Sequence, residues 1–203
     1  MRKFLWLNPV VTEMYGSEEL ERRLTEKGYE LAVCRNDHIA AVKEKYLSVL
    51  GKAHTCVADV RCPMAVDYIK KNYDPDFLEF PDIEPILLHC ARELHGRLSG
   101  QGQLWIITPC GALSRMGNRM GLPETKFCTW KEFARMEHIP LRGKVLAESP
   151  IPPGFFDGHK EPSVVLDSRK KIDLYFSASH RREERGIMEL LYCSNGCHHG
   201  DGV

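Results

Sequence analysis

The sequence predicts an α/β protein with mostly parallel sheet or sheets flanked by helices, arranged as two small lobes. Three observations predict it. Short apolar segments alternate with segments of helical periodicity, the pattern of parallel strands joined through crossover helices. Residues 104–108 are apolar with little interruption, as a strand covered on both faces is. Residues 140–156 carry four prolines and mark a linker, so lobes over 1–139 and 157–203 are expected within one 203-residue unit.

Residues 3–7 read as a short apolar strand closed by Asn8-Pro9. Ser17 is placed to cap a helix reaching about Lys27, with Leu20 and Leu24 one turn apart and Gly28 as its stop. A strand over 29–34 and a helix over 39–50 follow, the latter ended by Gly51, and then a weak strand at 54–58. Pro63 suits the first turn of a helix running to about Asn72. Pro85 repeats that device for a helix whose Leu87, Ala91, Leu94 and Leu98 share a face. After the strand at 104–108 come a short helix from Cys110 to Met120 and a strand at 126–129. Thr129 and Glu132 form a capping box for a helix through Met136. Residues 164–166 read as a strand, 168–185 as a helix with an ambiguous middle, and 187–192 as an apolar strand before a glycine-rich end.

Charge and composition narrow the function classes. Lys plus Arg is 28 and Asp plus Glu is 28, so no basic excess exists to neutralise a phosphate backbone, and no nucleic-acid partner is expected. No apolar run approaches the ~20 residues of a membrane span. The stretch Phe4-Leu5-Trp6-Leu7 behind Arg2-Lys3 is too short for a secretion signal, so the expected setting is cytoplasmic, with no membrane partner. In a reducing compartment, eight cysteines point to metal rather than to disulfides.

Three of the eight share a context in which an apolar strand ends, a cysteine follows and the chain turns: Cys62, Cys110 and Cys193. In one parallel sheet they would lie along a single edge. Cys62 and Cys110 also precede predicted helices, whose N-termini favour thiolate over thiol. Cys197, four residues beyond Cys193, supplies a fourth soft donor. These four are the candidate metal ligands, with the cysteine site expected between the two lobes. Gly111, Gly196, Gly200 and Gly202 are the candidate cofactor-binding backbone, able to approach closely and aim N–H groups at sulfur. Cys90, inside a helix beside the Leu87/Ala91 stripe, and Cys56 and Cys128, inside strands, read as core; Cys34, which ends a strand, is the reserve ligand. Zinc is the competing metal, since Cys197-His198-His199 adds borderline donors. On an extended chain the two histidines would point apart, so at most one would join.

The segments Asp59-Val-Arg-Cys62-Pro63, Thr108-Pro109-Cys110-Gly-Ala and Glu189-Leu-Leu-Tyr-Cys193-Ser-Asn-Gly-Cys197-His-His-Gly-Asp-Gly resemble, in order, the cluster-binding motifs of iron-only (FeFe) hydrogenases. The likeness is to the C-terminal H-cluster domain and covers about 55–120 and 165–203, with a shorter segment between. The resemblance implies that Cys62, Cys110, Cys193 and Cys197 hold one 4Fe–4S cluster, the last also bridging to a diiron unit. Three departures fall at the diiron side: Arg61 stands at the family's proton-donating cysteine, Leu113 at its lysine and Leu191 at its methionine. Arginine stays protonated and cannot relay protons.

The reading is a shortened, diverged hydrogenase-like iron–sulfur protein of an anaerobe, with a 4Fe–4S cofactor and an unidentified redox partner protein, acting in electron transfer or redox sensing. Two others stay open. One is an iron hydrogenase or a subunit of one, an oxidoreductase whose acidic candidates would be Glu189 and Asp201. The other is a zinc-binding or metal-free α/β binding domain.

Overall fold

The computed structural model describes all residues except 17, 141–142, 159, 161 and 179–184. The expected Ser17 cap and the end of the helix expected over 168–185 therefore lie outside the described residues. The chain divides into two compact units: Met1–Asn36, Leu87–Ile151 and Cys197–Val203 form the first, and Asp37–Ile86 with Pro152–Gly196 the second. They interleave along the chain instead of following one another as 1–139 and 157–203. The crossing between Ile151 and Pro152 does fall in the proline-rich segment.

The first unit holds an all-parallel sheet of order β2-β1-β5-β6, made of β1 (Arg2–Trp6), β2 (Tyr29–Leu31), β5 (Gly102–Thr108) and β6 (Thr125–Thr129). Between β1 and β2 lie α1 (Pro9–Tyr15) and α2 (Glu18–Glu26). Helix α1 is absent from the sequence reading, which stopped the strand at Asn8-Pro9. Asn8 is in fact an N-cap, accepting from Val11 N–H at 3.1 Å with Pro9 opening the helix. Its Nδ2 donates to Ile107 O at 3.0 Å, tying the end of β1 to the neighbouring β5. Helices α5 (Ile86–Leu98), α6 (Gly111–Arg119) and α7 (Trp130–Met136) complete this part of the chain. The predicted Thr129/Glu132 capping box is present at α7, with both reciprocal bonds made. Leu5, Leu24, Ile107, Trp130 and Phe133 are buried together as the core of this unit.

The second unit also holds a four-stranded, all-parallel sheet, of order β4-β3-β8-β7. Its strands are β3 (Cys56–Ala58), β4 (Leu78–Glu79), β7 (Ser163–Leu166) and β8 (Gly186–Leu190). Its helices are α3 (His38–Leu50), α4 (Pro63–Asn72) and α8 (Arg169–Ser177), the last capped by Ser168. Every residue of β8 is buried, as expected of an inner strand. The two-residue β4 carries too little apolar pattern to be read from sequence.

Two sheets in place of one correct the single shared edge expected for the cysteines. Cys62 and Cys193 follow β3 and β8, neighbours in one sheet, whereas Cys110 follows β5 in the other. Local sequence marks a strand's end, but which strands pair is settled by contacts far apart in the chain.

Candidate metal centre

In the first sheet the connection from β1 runs out to β2 and that from β5 runs out to β6 on the other side, so the chain reverses direction between β1 and β5, the place where parallel sheets bind ligands. Three of the predicted ligands follow inner strands: Cys110 after β5, and Cys62 and Cys193 after β3 and β8. In the second unit, Cys62 is the N-cap of α4, just beyond β3, without a side-chain capping bond. Burial pushes its thiol up, and the N–H groups of Tyr192, Ala65 and Met64 oppose that shift by favouring thiolate. Cys193 follows Tyr192 beyond β8, and both it and Cys62 are partly buried. The turn after Cys193 is built by left-handed backbone at Asn195 (φ 59°) and Gly196 (φ 122°), and a side chain at Gly196 would be strained. Asn195 N–H donates to Asp167 O at 3.0 Å, which pins the turn beside the end of β7.

In the first unit, Cys110 is buried at the N-cap of α6, and the Thr108 hydroxyl donates to its carbonyl at 2.9 Å. Cys197 opens a 3-10 turn over Cys197–His199 and packs against the apolar core of this unit. The C-terminal loop is stitched to the Pro109-Cys110 turn. Gly202 N–H donates to Pro109 O at 3.1 Å, and Gly111 N–H donates to Asp201 Oδ1 at 2.9 Å. A Cβ on Gly200 would stand 2.3 Å from Pro109 O, so the close approach admits only glycine there. The expectation from sequence is that the candidate glycines aim N–H groups at sulfur. The N–H groups of Gly111, Gly196, Gly200 and Gly202, however, all donate to oxygen: Asp201 Oδ1, Cys193 O, Cys197 O and Pro109 O respectively.

The histidine pair departs from expectation. In the 3-10 turn the rings of His198 and His199 lie 3.9 Å apart between centroids instead of pointing away from each other. His198 is buried, its Nδ1 has no hydrogen-bond partner, and desolvation followed by His199 lowers its pKa, so it is a neutral ring at neutral pH.

Beside Cys62 the second unit buries an ionic group. Asp59 and Glu189 are 0% and 1% exposed. Arg61 donates to both oxygens of Asp59 at 2.9 and 2.7 Å, reaches Glu189 Oε1 at 3.1 Å, and lies 3.6 Å above the Phe155 ring. Tyr46 donates to Asp59 at 3.1 Å, while Gly154 and Phe155 N–H donate to Glu189. Burial raises the Glu189 carboxyl, against the pull of the Phe155 N–H and Arg61. The bidentate geometry and the ring stacking are arrangements that arginine makes and lysine does not. Sequence reasoning took Arg61 only as a lost cysteine. The Asp-x-Arg spacing was the signal that could have shown the pair. Leu113 and Leu191, where the resembled hydrogenase motifs carry lysine and methionine, are both buried apolar side chains.

Of the remaining cysteines, Cys56 is buried, its thiol pushed up to about 11 by burial, and Cys128 is partly buried and raised to about 12. Cys34, three residues beyond β2, and Cys90 on α5 bring their sulfurs within 4.8 Å of one another in the first unit. Cys90 is buried as predicted; its pairing with Cys34 was not.

Compared with protein-family models, curated proteins and solved structures, the chain matches none. Among the described residues, no helix is long and apolar enough to cross a membrane.

Proposed function

We propose that the chain binds one 4Fe–4S cluster through Cys62, Cys110, Cys193 and Cys197 and serves electron transfer or redox sensing with a partner protein. The observation that carries this reading is the placement of Cys62, Cys110 and Cys193 beyond inner parallel strands, with Cys197 in the loop bonded to the Cys110 turn. The donor set suits the group, because four thiolates are the standard complement of a cubane. When bound, the cluster supplies one-electron chemistry. The chain's own part is to hold thiolates. At Cys62 the start of α4 and nearby backbone N–H groups favour the anion, while burial favours the proton. Loading therefore displaces a proton from Cys62 and weakens as the pH falls.

The absence of hydrogen turnover from this reading follows from the residues beside Cys62. The Arg61 guanidinium is held charged by Asp59 and Glu189 despite its burial, so it does not transfer protons. Glu189 has both oxygens occupied by Arg61 and two backbone N–H groups, a bound structural anion in place of a relay acid.

Iron and acid-labile sulfide measured on protein purified without air test the reading. Equal iron and sulfide with a broad brown absorption are expected. Replacing any of Cys62, Cys110, Cys193 or Cys197 by Ala should abolish or sharply reduce both, whereas Cys90→Ala should retain them. Colourless protein carrying zinc, or full iron content in Cys110→Ala, would overturn it.

A further inference from the structure

The sulfurs of Cys34 and Cys90 meet because loop and helix of the first unit are clamped together around them. Cys90, Glu93 and Arg97 fall at i, i+3 and i+7 along α5, one face of the helix. Glu93 accepts from Arg35 N–H at 2.8 Å and from Asn36 N–H at 3.0 Å. Arg97 donates to Val33 O at 2.6 Å. The backbone on both sides of Cys34 is thus fastened to the helix that carries Cys90, and two soft donors are pre-positioned at no further ordering cost.

We propose that Cys34 and Cys90 form a binding site for a soft d10 cation, of which Zn(II) and Cu(I) are the biological examples, separate from the four cysteines of the proposed cluster. The spacing suits one bridging ion. Two thiolates bonded to an ion at about 2.3 Å each stand about 3.8 Å apart at a tetrahedral angle and about 4.6 Å apart when collinear. The present separation, within 4.8 Å, needs only small side-chain rotations to reach either. The acid–base chemistry agrees with the geometry. Cys34 is pulled below an ordinary thiol, first by its hydrogen bond with Cys90 and then by Arg97 and Trp6, against desolvation and Glu93. A soft cation displaces the thiol protons as it binds, so its uptake releases protons. Cys34 is partly exposed, so an ion has access, while Cys90 anchors the site from the apolar side. Thiolates select Cu(I) and Zn(II) over hard ions such as Mg(II).

The test is site-resolved, because the other cysteines also take metals. The intact protein is treated without air with Zn(II), with Cu(I) or with Mg(II), pulsed with a thiol-alkylating reagent, and mapped by mass spectrometry. Zn(II), Cu(I) or both should slow alkylation of Cys34 at least severalfold, and Mg(II) should not. The ion that protects identifies the occupant: Cu(I) is satisfied by two thiolates, whereas Zn(II) needs further donors. In Cys90→Ser the protection should vanish. Should that variant not fold, Cys34→Ser, at a partly exposed loop position, should bind one equivalent less of the protecting ion than the intact protein. Equal alkylation of Cys34 with and without both ions, protection that survives Cys90→Ser, or an unchanged stoichiometry in Cys34→Ser would overturn the proposal.

Discussion

Arg61 bears on the stability of the second unit and on the chemistry expected beside Cys62. It is ion-paired with two buried carboxylates, stacks on Phe155 and occupies the position directly before Cys62. Breaking a buried ion pair by removing one partner typically costs about 3–5 kcal/mol, because the other charge is left unpaired. Arg61→Met should therefore destabilise the protein by roughly that amount in denaturant unfolding near neutral pH. The pH dependence has a definite sign. Glu189 is already raised by burial, and loss of the guanidinium raises it further. A carboxyl raised above its unfolded value contributes stability that is present at low pH and lost as the pH rises through its folded pKa. The gap between wild type and Arg61→Met should narrow on acidification, and a gap that widens would contradict the assignment of Arg61 as counter-ion. The same residue bears on activity. Because Leu113 and Leu191 also differ from the hydrogenase pattern, no hydrogen evolution is expected even when the protein is matured with a complete diiron assembly system. Restoring Arg61→Cys alone should not create it, and hydrogen evolved by the unmodified protein under reducing, air-free conditions would defeat the expectation.

At the scale of elements, α6, whose N-cap is Cys110, packs closely against β6. Gly117 lies against Phe127 so closely that an added Cβ would meet the ring at 2.2–2.5 Å. Alanine in a helix gains up to about 1 kcal/mol over glycine, while overpacking a core costs about 1–3 kcal/mol. Phe127 is itself only 4% exposed and cannot move aside freely, so overpacking wins. Gly117→Ala should lower stability by about 1–2 kcal/mol in equilibrium unfolding; a stabilised variant would show that helix and strand are not packed this tightly. Two helices were legible from a local device that marks their start: Pro63 for α4 and the Thr129/Glu132 box for α7. Asn8-Pro9 was the same device, hidden because it follows the strand without a spacer. The candidate site was legible in part for the same reason. A cysteine after a strand is a local pattern, and so is a glycine that must approach closely. The meeting of Cys34 with Cys90 is not local, since it depends on Glu93 and Arg97 drawing a distant loop onto α5. Nor is the partition of the strands into two sheets.

At the scale of the whole molecule, the interleaved chain makes the two units depend differently on the C-terminal quarter of the sequence. All four strands of the first sheet lie before residue 130, whereas the second sheet takes β7 and β8 from beyond residue 162. A chain ending at Ile151 keeps β1, β2, β5 and β6 but leaves β3 without its inner partner β8, paired only to the edge strand β4. Two strands without the rest of a sheet are marginal in water. Such a chain also forfeits Gly202 to Pro109 and the packing of Val203 in the first core, a loss at the edge of that unit and not at its centre. Hydrogen exchange should accordingly find protection retained in β1, β5 and β6, though reduced, and lost in β3. Equal loss in both sets would mean that the first unit cannot stand without the second. With Cys193 and Cys197 removed together, the truncated chain should also hold no iron, whereas its Cys34 should still be protected from alkylation by the same soft cation that protects it in the intact protein. Retained protection without iron would separate the two proposed metal sites within one molecule; loss of both would tie the Cys34–Cys90 pair to the C-terminal residues and refute its independence.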